Sequence, residues 1–376
     1  MKQRVLVAMS GGVDSSVACL LLKEAGFEVI GVTMCLGEEG GEARCCGARA
    51  VEDARAVCHL LGVPHFVLDF SQDMEDIIIA NFIAEYRRGR TPNPCVLCNR
   101  HLKFGRLLEY ARVLGCDFLA TGHYALLEKK DGRYVIRRPK DRKKDQTYFL
   151  SAIPKEALPF LLFPLGHYTK EEVREIARKA ALPVAEKPQS QDLCFIPGGN
   201  YREFLLRHLG EERPGNIVTR DGKVLGQHRG IFHYTIGQRR GLGIRASYPL
   251  YVIAINPERN EIVVGRREEL LSSGLVAQPF NWLVDEPPEK ALVQVRYQQR
   301  PQPCFVKMSE QYAVTITFEQ PLEMVTPGQI AVLYDGDVLL GGGPIEEVWH
   351  EKRSGTHQGT EREEECRYSR PQLPAS

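Results

Sequence analysis

The feature that most restricts the fold is a change of hydrophobic rhythm part-way along the chain. Residues 4–8, 28–34, Val63–Phe70 and Asp117–Thr121 read as short apolar strands, and helical patterns over Ser16–Ala25, Ala48–Leu61, Met74–Arg88 and Leu102–Leu114 alternate with them. In the second helix Val51, Ala54, Cys58 and Leu61 recur at steps of three and four, which gives one buried stripe, and Gly62 stops it. Alternation of this kind predicts a parallel sheet covered on both faces, with ligands at the carboxyl ends of its strands. A capping-box spacing at Thr169-Lys170-Glu171-Glu172 starts another helix with the stripe Val173, Ile176, Ala177 and Ala180, and Tyr201–His208 reads as the last. After about Arg213 the helical period is lost. Asp221-Gly222, Asn256-Pro257 and Asp335-Gly336 separate apolar runs, and Leu292, Val293, Val295, Tyr297, then Val314, Ile316, Phe318, then Ile330, Val332, Leu333 alternate. The expected architecture is an α/β domain with a parallel sheet over 1–210, a small β-rich central domain over 211–272 and a C-terminal β-barrel over 273–350. Residues 351–376 carry Glu363-Glu364-Glu365 and read as a disordered tail. No internal repeat is found.

The first strand runs into Ala8-Met9-Ser10-Gly11-Gly12-Val13-Asp14-Ser15-Ser16 and then directly into a helix. Adjacent glycines let the backbone turn sharply and bring bare amides near an anion. Ser10, Ser15 and Ser16 add hydroxyls, and the helix N-terminus adds partial positive charge. Asp14 would repel a phosphate unless it handles magnesium or positions the loop. An ordinary serine-capped turn explains each feature singly, but an anion site explains the three together. No lysine follows the glycines as a Walker loop requires. The loop resembles the SGGxDS loop of the ATP pyrophosphatases, which cleave ATP to AMP and pyrophosphate. That resemblance implies ATP contacts from Ala8 to Ser15, with Met34 and Gly122 beside the adenine and ribose. Without the loop, Met34 and Gly122 would read as plain core and turn residues.

The chain has 376 residues, too many for one ordinary core, and 49 basic against 48 acidic residues. Overall charge therefore says nothing for nucleic acid, and any RNA surface must come from local clustering. No apolar run has signal-peptide or membrane-span length, so a cytoplasmic protein without a membrane partner is expected. Eleven cysteines in such a chain suggest thiols, catalysis or metal rather than a disulfide framework.

Cys95 and Cys98 lie in Thr91-Pro92-Asn93-Pro94-Cys95-Val96-Leu97-Cys98-Asn99, where the prolines are expected to forbid a helix and hold the pair on a rigid loop. A CxxC pair can chelate a metal or exchange thiols. Cys194 follows Ser190-Gln191-Asp192-Leu193. Cys19, Cys35, Cys58, Cys116 and Cys304 sit in apolar patterns and read as small hydrophobes. Adjacent Cys45 and Cys46 make poor joint chelators with the CxxC pair.

With these residues in view the sequence resembles the tRNA-specific 2-thiouridylase family from Val5 to about Trp349. The marks are the Met9–Ser16 loop, Gly89-Arg90-Thr91-Pro92-Asn93-Pro94, Cys98-Asn99, Ala120-Thr121-Gly122-His123-Tyr124, Lys144-Asp145-Gln146, Cys194-Phe195-Ile196 and Tyr234-Thr235-Ile236-Gly237-Gln238-Arg239. The resemblance implies an ATP-dependent tRNA-uridine 2-sulfurtransferase. In such an enzyme the C2 oxygen of the wobble uridine is adenylated, because oxide itself is a hopeless leaving group, and sulfur then displaces AMP. It also implies that Cys194 carries a persulfide and that Cys98 attacks it, closing a transient disulfide. ATP, magnesium, tRNA and a sulfur-donating protein (a cysteine desulfurase or a relay carrier) are the implied ligands and partners.

Many members have an aspartate, a proposed acid–base, where this chain has Cys95. A thiol, with a reference pKa of about 8.5, is a different instrument. Cys95, Cys98 and Cys194 could instead ligate an iron–sulfur cluster with one open iron for incoming sulfide. Both routes stay open on the sequence.

Position in the motifs implies that Asn93, Pro94 and Cys95 surround a uridine flipped from the anticodon stack. His123, Lys144, Asp145, Gln146, Arg296, Tyr297 and Gln329 match the family's tRNA-contacting places. Arg137-Arg138-Pro139-Lys140-Asp141-Arg142-Lys143-Lys144 is the most basic stretch and suits phosphates, although such runs are usually solvated loops. Arg229, His233, Gln238, Arg239 and Arg240 could line a groove. A small-molecule ATP pyrophosphatase would explain the loop but not Cys98 with Cys194. A non-catalytic RNA-binding protein would not need an intact loop.

Overall fold

The computed structural model describes residues 2–37, 48–188, 193–309 and 312–349. The expected tail, the Cys45-Cys46 pair and Ser190-Gln191-Asp192 lie outside them. The first domain is built on a parallel sheet of β1 (Arg4–Ala8), β2 (Glu28–Cys35), β3 (His65–Asp69), β4 (Phe118–Ala120) and β7 (Leu161–Leu162), in the order β3-β2-β1-β4-β7. Val5, Leu6 and Val7 of β1 are fully buried, as a central strand packed on both faces demands. One face carries α1 (Val13–Glu24) and α2 (Ala48–Leu60); the predicted stripe Val51, Ala54, Cys58 and Leu61 is buried, and Val57, not foreseen, is buried with it. Thr169 forms the reciprocal capping box with Glu172 at the start of Lys170–Lys179.

On the other face the sequence reading needs correction. The prolines do not exclude a helix. Pro94 opens one, capped by Asn93, whose Oδ1 accepts from the Val96 amide at 3.4 Å. At that first position proline loses nothing, because its missing N–H would have had no helical partner. Helical backbone continues from Pro94–Leu97 through a π-helical Cys98–Arg106 into Leu107–Val113. Cys95 and Cys98 therefore stand on a helix, not on a loop. The helix expected over Met74–Arg88 likewise begins with a π-helical stretch, Met74–Ile79, before Ala80–Arg87.

A hairpin unread in the sequence, β5 (Leu126–Lys130) with β6 (Arg133–Arg137), leaves this domain to join the barrel sheet. The central domain is a four-stranded sheet of β8 (Gly215–Thr219), β9 (Val224–His228), β10 (Tyr251–Asn256) and β11 (Glu261–Gly265), in the order β10-β11-β8-β9. Both turn signals read there close hairpins, with Gly222 and Asn260 at positive φ. The last domain closes β12 (Leu271–Ala277), β14 (Lys290–Gln294), β15 (Gln302–Met308), β16 (Val314–Glu323), β17 (Ile330–Asp335) and β18 (Val338–Trp349) into a six-stranded barrel. Pairing of β12 with β18 completes the ring, and the short β13 (Asn281–Trp282) pairs β18. Gly336, at positive φ, sits in the predicted turn between β17 and β18.

The barrel docks on the first domain through mixed contacts. Ile330, Val332 and Tyr334 share a hydrophobic cluster with Tyr148 and Leu150, and the Tyr148 hydroxyl donates to the Ile330 carbonyl at 3.0 Å. Arg90, at the start of the proline-rich segment, pairs with Glu85 at 2.7 Å and donates to Glu346 of β18. Burial works against the guanidinium charge, but its two carboxylates outweigh it and hold its pKa above the ordinary value. Substituting Arg90 by alanine would leave the buried Glu85 carboxylate with only the exposed Arg88, 3.5 Å away, at a cost of about 3 kcal/mol. Thermal unfolding of Arg90→Ala should accordingly begin well below that of the wild type. An unchanged transition would show that the ion pair does not secure the domain contact.

Candidate active site

The turn after β1 is fixed by steric necessity. Gly11 has φ +65, and a Cβ there would lie 2.2 Å from the Ala50 carbonyl of α2, so only glycine fits beneath that helix. Gly12, in extended backbone, precedes α1 without a side-chain cap. The first amides of α1 thus lack helical acceptors and face the loop, a ready anion site. The serines act differently from the sequence expectation. The hydroxyls of Ser15 and Ser16 donate back to the Gly12 carbonyl at 3.2 and 2.8 Å, and Ser15 Oγ also accepts from the Ser10 amide at 3.1 Å. They close the turn, and of the three only Ser10 is exposed.

Asp14 is engaged by partners within the protein. Its carboxylate accepts from Lys170 Nζ at 2.6 and 2.8 Å and from the Tyr124 hydroxyl at 2.7 Å. Lys170 is almost wholly buried. Desolvation and the neighbouring Asp14 push the Tyr124 phenol far above its usual range, so it stays a donor. With both oxygens so engaged, Asp14 does not build a magnesium site, and no step below is routed through that ion. A second lysine, Lys187, donates to the Gly11 carbonyl at 2.9 Å and pairs with Asp53 of α2. Neither lysine is near the loop in sequence, and no spacing rule identifies them.

Gly122 and His123, just past β4, connect this loop to the thiols. A Cβ on Gly122 would come 2.7 Å from the Ser15 amide, so the backbone presses against the first turn of α1. The His123 ring packs on Phe104 at 5.9 Å and Phe163 at 6.1 Å, and its Nδ1 bonds Thr121 Oγ1 at 2.7 Å. Burial, with Lys103 nearby, drives its pKa well below the ordinary value, so the ring is neutral. Phe104 belongs to the helix that carries Cys98. Met34 is half-buried near the end of β2.

Cys98 is 7% exposed, and Asn99 beside it donates to the Phe149 carbonyl at 2.9 Å. Burial pushes the Cys98 thiol up, and Lys103 opposes this. Cys95 and Cys194 are exposed, in contrast to Cys98. Phe195 and Ile196, which follow Cys194, belong to the hydrophobic cluster that contains Cys98, and Phe195 packs on Phe82 and Phe204. Among the described residues no group of three His, Cys, Asp or Glu side chains is placed to hold a metal ion. Cys95, Cys98 and Cys194 are thus not gathered around a single metal position. Cys19, Cys58, Cys116 and Cys304 are buried, as expected. Cys35 departs from that expectation: at the open end of β2 it is half-buried and disulfide-bonded.

The residues matched to tRNA contacts mostly have protein partners. Gln329 donates to the Thr91 carbonyl at 2.9 Å, and the Thr91 amide donates to Pro327, so the barrel holds the segment that leads to Asn93 and Pro94. Arg296 donates to Ile236 and Thr326 at 3.0 and 2.6 Å, and burial lowers its pKa. Tyr297 packs on Phe149 at 4.4 Å. Gln146 brackets Tyr124 from both sides, by its side chain at 2.8 Å and its amide at 3.1 Å, and Asp145 accepts from Thr147. The basic stretch is largely neutralised. Arg137 pairs with Glu128, Arg138 with Asp145, Lys140 with Glu172 and Arg142 with Asp337. In the central domain His233 pairs with Glu212, while Arg229, Arg239 and Arg240 are exposed.

Comparison with known proteins agrees with this geometry. The tRNA methyl transferase HUP domain family matches residues 3–198, the tRNA methyl transferase PRC-barrel domain family 202–266 and the aminomethyltransferase beta-barrel domain family 272–345. The tRNA-specific 2-thiouridylase MnmA 1 of Syntrophus aciditrophicus is 54% identical over 93% of this chain and 94% of its own length. The tRNA-specific 2-thiouridylase MnmA of Carboxydothermus hydrogenoformans is 51% identical over 92% and 98%. A solved U34-tRNA thiolase NcsA from Methanococcus maripaludis, with its [4Fe-4S] cluster, is 20% identical and overlaps 55% of this chain and 66% of its own at a TM-score of 0.33, too little to carry an argument. Identity at this level over nearly the whole length leaves one conclusion: the chain belongs to the tRNA-specific 2-thiouridylase family.

Proposed function

We propose that this chain adenylates the C2 oxygen of the wobble uridine of tRNA with ATP and replaces that oxygen by sulfur. The observation that carries the reading is the bridge at Gly122-His123. One residue presses on the phosphate loop, and the next packs on the helix that bears Cys98. Activation and sulfur delivery thereby share one wall.

In the first step the uridine O2 attacks the α-phosphorus and pyrophosphate leaves. The free amides at the start of α1 bind the departing phosphates, and the Lys170–Asp14 contact keeps the carboxylate from opposing them. In the second, Cys194 holds a persulfide received from a sulfur-donating protein. The Cys98 thiolate attacks the Cys194 sulfur, the bond to the outer sulfur breaks and hydrosulfide is released. Hydrosulfide adds to C2, AMP leaves with the former oxygen, and the Cys98–Cys194 disulfide awaits two electrons from an external dithiol. Exposed Cys194 suits loading by a partner, and buried Cys98 suits a nucleophile kept from stray oxidants. Asn93 and Pro94, held in place through the barrel contact at Thr91, are poised to receive the flipped base.

Pyrophosphate release should require tRNA, and turnover at the same rate without RNA would reject the reading in favour of a small-molecule ligase. Cys194→Ala should lose thiolation while keeping tRNA affinity within about twofold, since an exposed thiol contributes little to binding. Retained thiolation would exclude Cys194 as carrier. Lys170→Met would leave a carboxylate beside the phosphates, and the KM for ATP in tRNA-dependent pyrophosphate release should rise about tenfold or more. The double variant Asp14→Asn with Lys170→Met should recover part of that loss. An unchanged KM in the single variant would mean that Asp14 exerts no field at the loop.

A further inference from the structure

Cys98 and Lys103 stand five residues apart on the π-helical segment Cys98–Arg106. Its bonding is of the i to i+5 type, as in the Leu107 amide donating to the Leu102 carbonyl. An α-helix would rotate residues five apart onto different faces, whereas the wider turn brings them close to the same face. Lys103 is half-buried, and it has no hydrogen-bond or ion-pair partner among the described residues. The other recessed lysines of the site do have carboxylate partners, Lys170 in Asp14 and Lys187 in Asp53. On the same helical segment Arg106 pairs with Asp73. The charge of Lys103 acts on Cys98, on Cys95 and on the His123 ring. His123 is neutral and does not compete for an anion, and no carboxylate figures among the charges acting on Cys98. Among the described residues no carboxylate therefore competes with an anion that forms beside Lys103 during the reaction.

We propose that Lys103 is the positioning residue that favours the thiolate form of Cys98, against the burial that opposes it, for attack on the Cys194 persulfide. This assignment rests on the persulfide reading above. Before attack the ammonium neutralises the thiolate. As the new Cys98–Cys194 bond forms and the old sulfur–sulfur bond breaks, the negative charge moves to the departing hydrosulfide within the same field.

The test is the rate at which iodoacetamide alkylates Cys98 at neutral pH, resolved from Cys95 by fragment mass spectrometry on the full chain without ATP or tRNA. Lys103→Met, close in shape but uncharged, should alkylate at Cys98 about tenfold more slowly, the effect of one pKa unit. Lys103→Arg should restore most of the rate. The thiolation kcat should fall by a similar factor in Lys103→Met with the KM for tRNA unchanged. Alkylation of Lys103→Met at the wild-type rate overturns the proposal, as does Lys103→Arg reacting as slowly as Lys103→Met, which would assign the residue a packing role. Should Lys103→Met fail to fold, Lys103→Gln replaces it with the same two outcomes. Wild-type protein that shows the alkylation pattern but no tRNA-dependent pyrophosphate release would instead sink the thiolase reading, and with it the persulfide attack, while the effect of Lys103 on the Cys98 thiol would remain.

Discussion

The Asp14 carboxylate, the Lys170 ammonium and the Tyr124 hydroxyl meet at the foot of the phosphate loop. Much of the site depends on that contact. A carboxylate in the first turn of a helix favours the helix but opposes any anion bound there. A buried lysine resolves the conflict, because its charge cancels the carboxylate without occupying the loop. The Tyr124 bond extends the consequence. Gln146 grips Tyr124 from both sides, so the Lys144-Asp145-Gln146 segment is tied to the nucleotide loop through two hydrogen-bonded residues.

A second principle runs through the thiol side. Helical backbone begins at Pro94 and widens into π-geometry at Cys98, the position where chemistry is proposed. Wide turns are less well packed than α-helix and persist where surroundings enforce them. Here the enforcement comes from burial of Leu102 and Phe104 in the main cluster and from the clamp of Gln329 on Thr91. The barrel thus shapes the site from a distance. Gly328, at positive φ, has the Thr91 backbone 3.0 Å from where a Cβ would be, so the contact admits no larger side chain there.

Charge is distributed differently around the phosphate loop and beside the thiols. Around the phosphate loop, lysines are neutralised by carboxylates, and binding strength must come from backbone amides. Beside the thiols the lysine is left unneutralised. The basic run 137–144, conspicuous in the sequence, is mostly consumed by ion pairs within the chain. Three of these pairs are exposed and contribute little to stability; Arg138–Asp145 is more buried. Their effect is to remove a cluster of free cations from the surface.

Sequence alone determined what depends on local pattern. Strand and helix alternation in the first domain, the α2 stripe, the Thr169 capping box, the turns at Asp221-Gly222 and Asp335-Gly336 and the glycine turn after β1 all follow from periodicity, capping and backbone freedom within a few residues. The cysteines at 95, 98 and 194 were legible as candidates for chemistry for the same reason. Tertiary structure decided what depends on distant partners. It turned Cys95 and Cys98 from a supposed loop onto a helix, since nothing local distinguishes a proline that breaks a helix from one that opens it. It brought Lys170 to Asp14 across 156 positions and Gln329 to Thr91 across 238. It also turned Ser15 and Ser16 inward. Ion pairs and hydrogen bonds form wherever folding brings charges and donors together, and their sequence separation leaves no periodic trace to read.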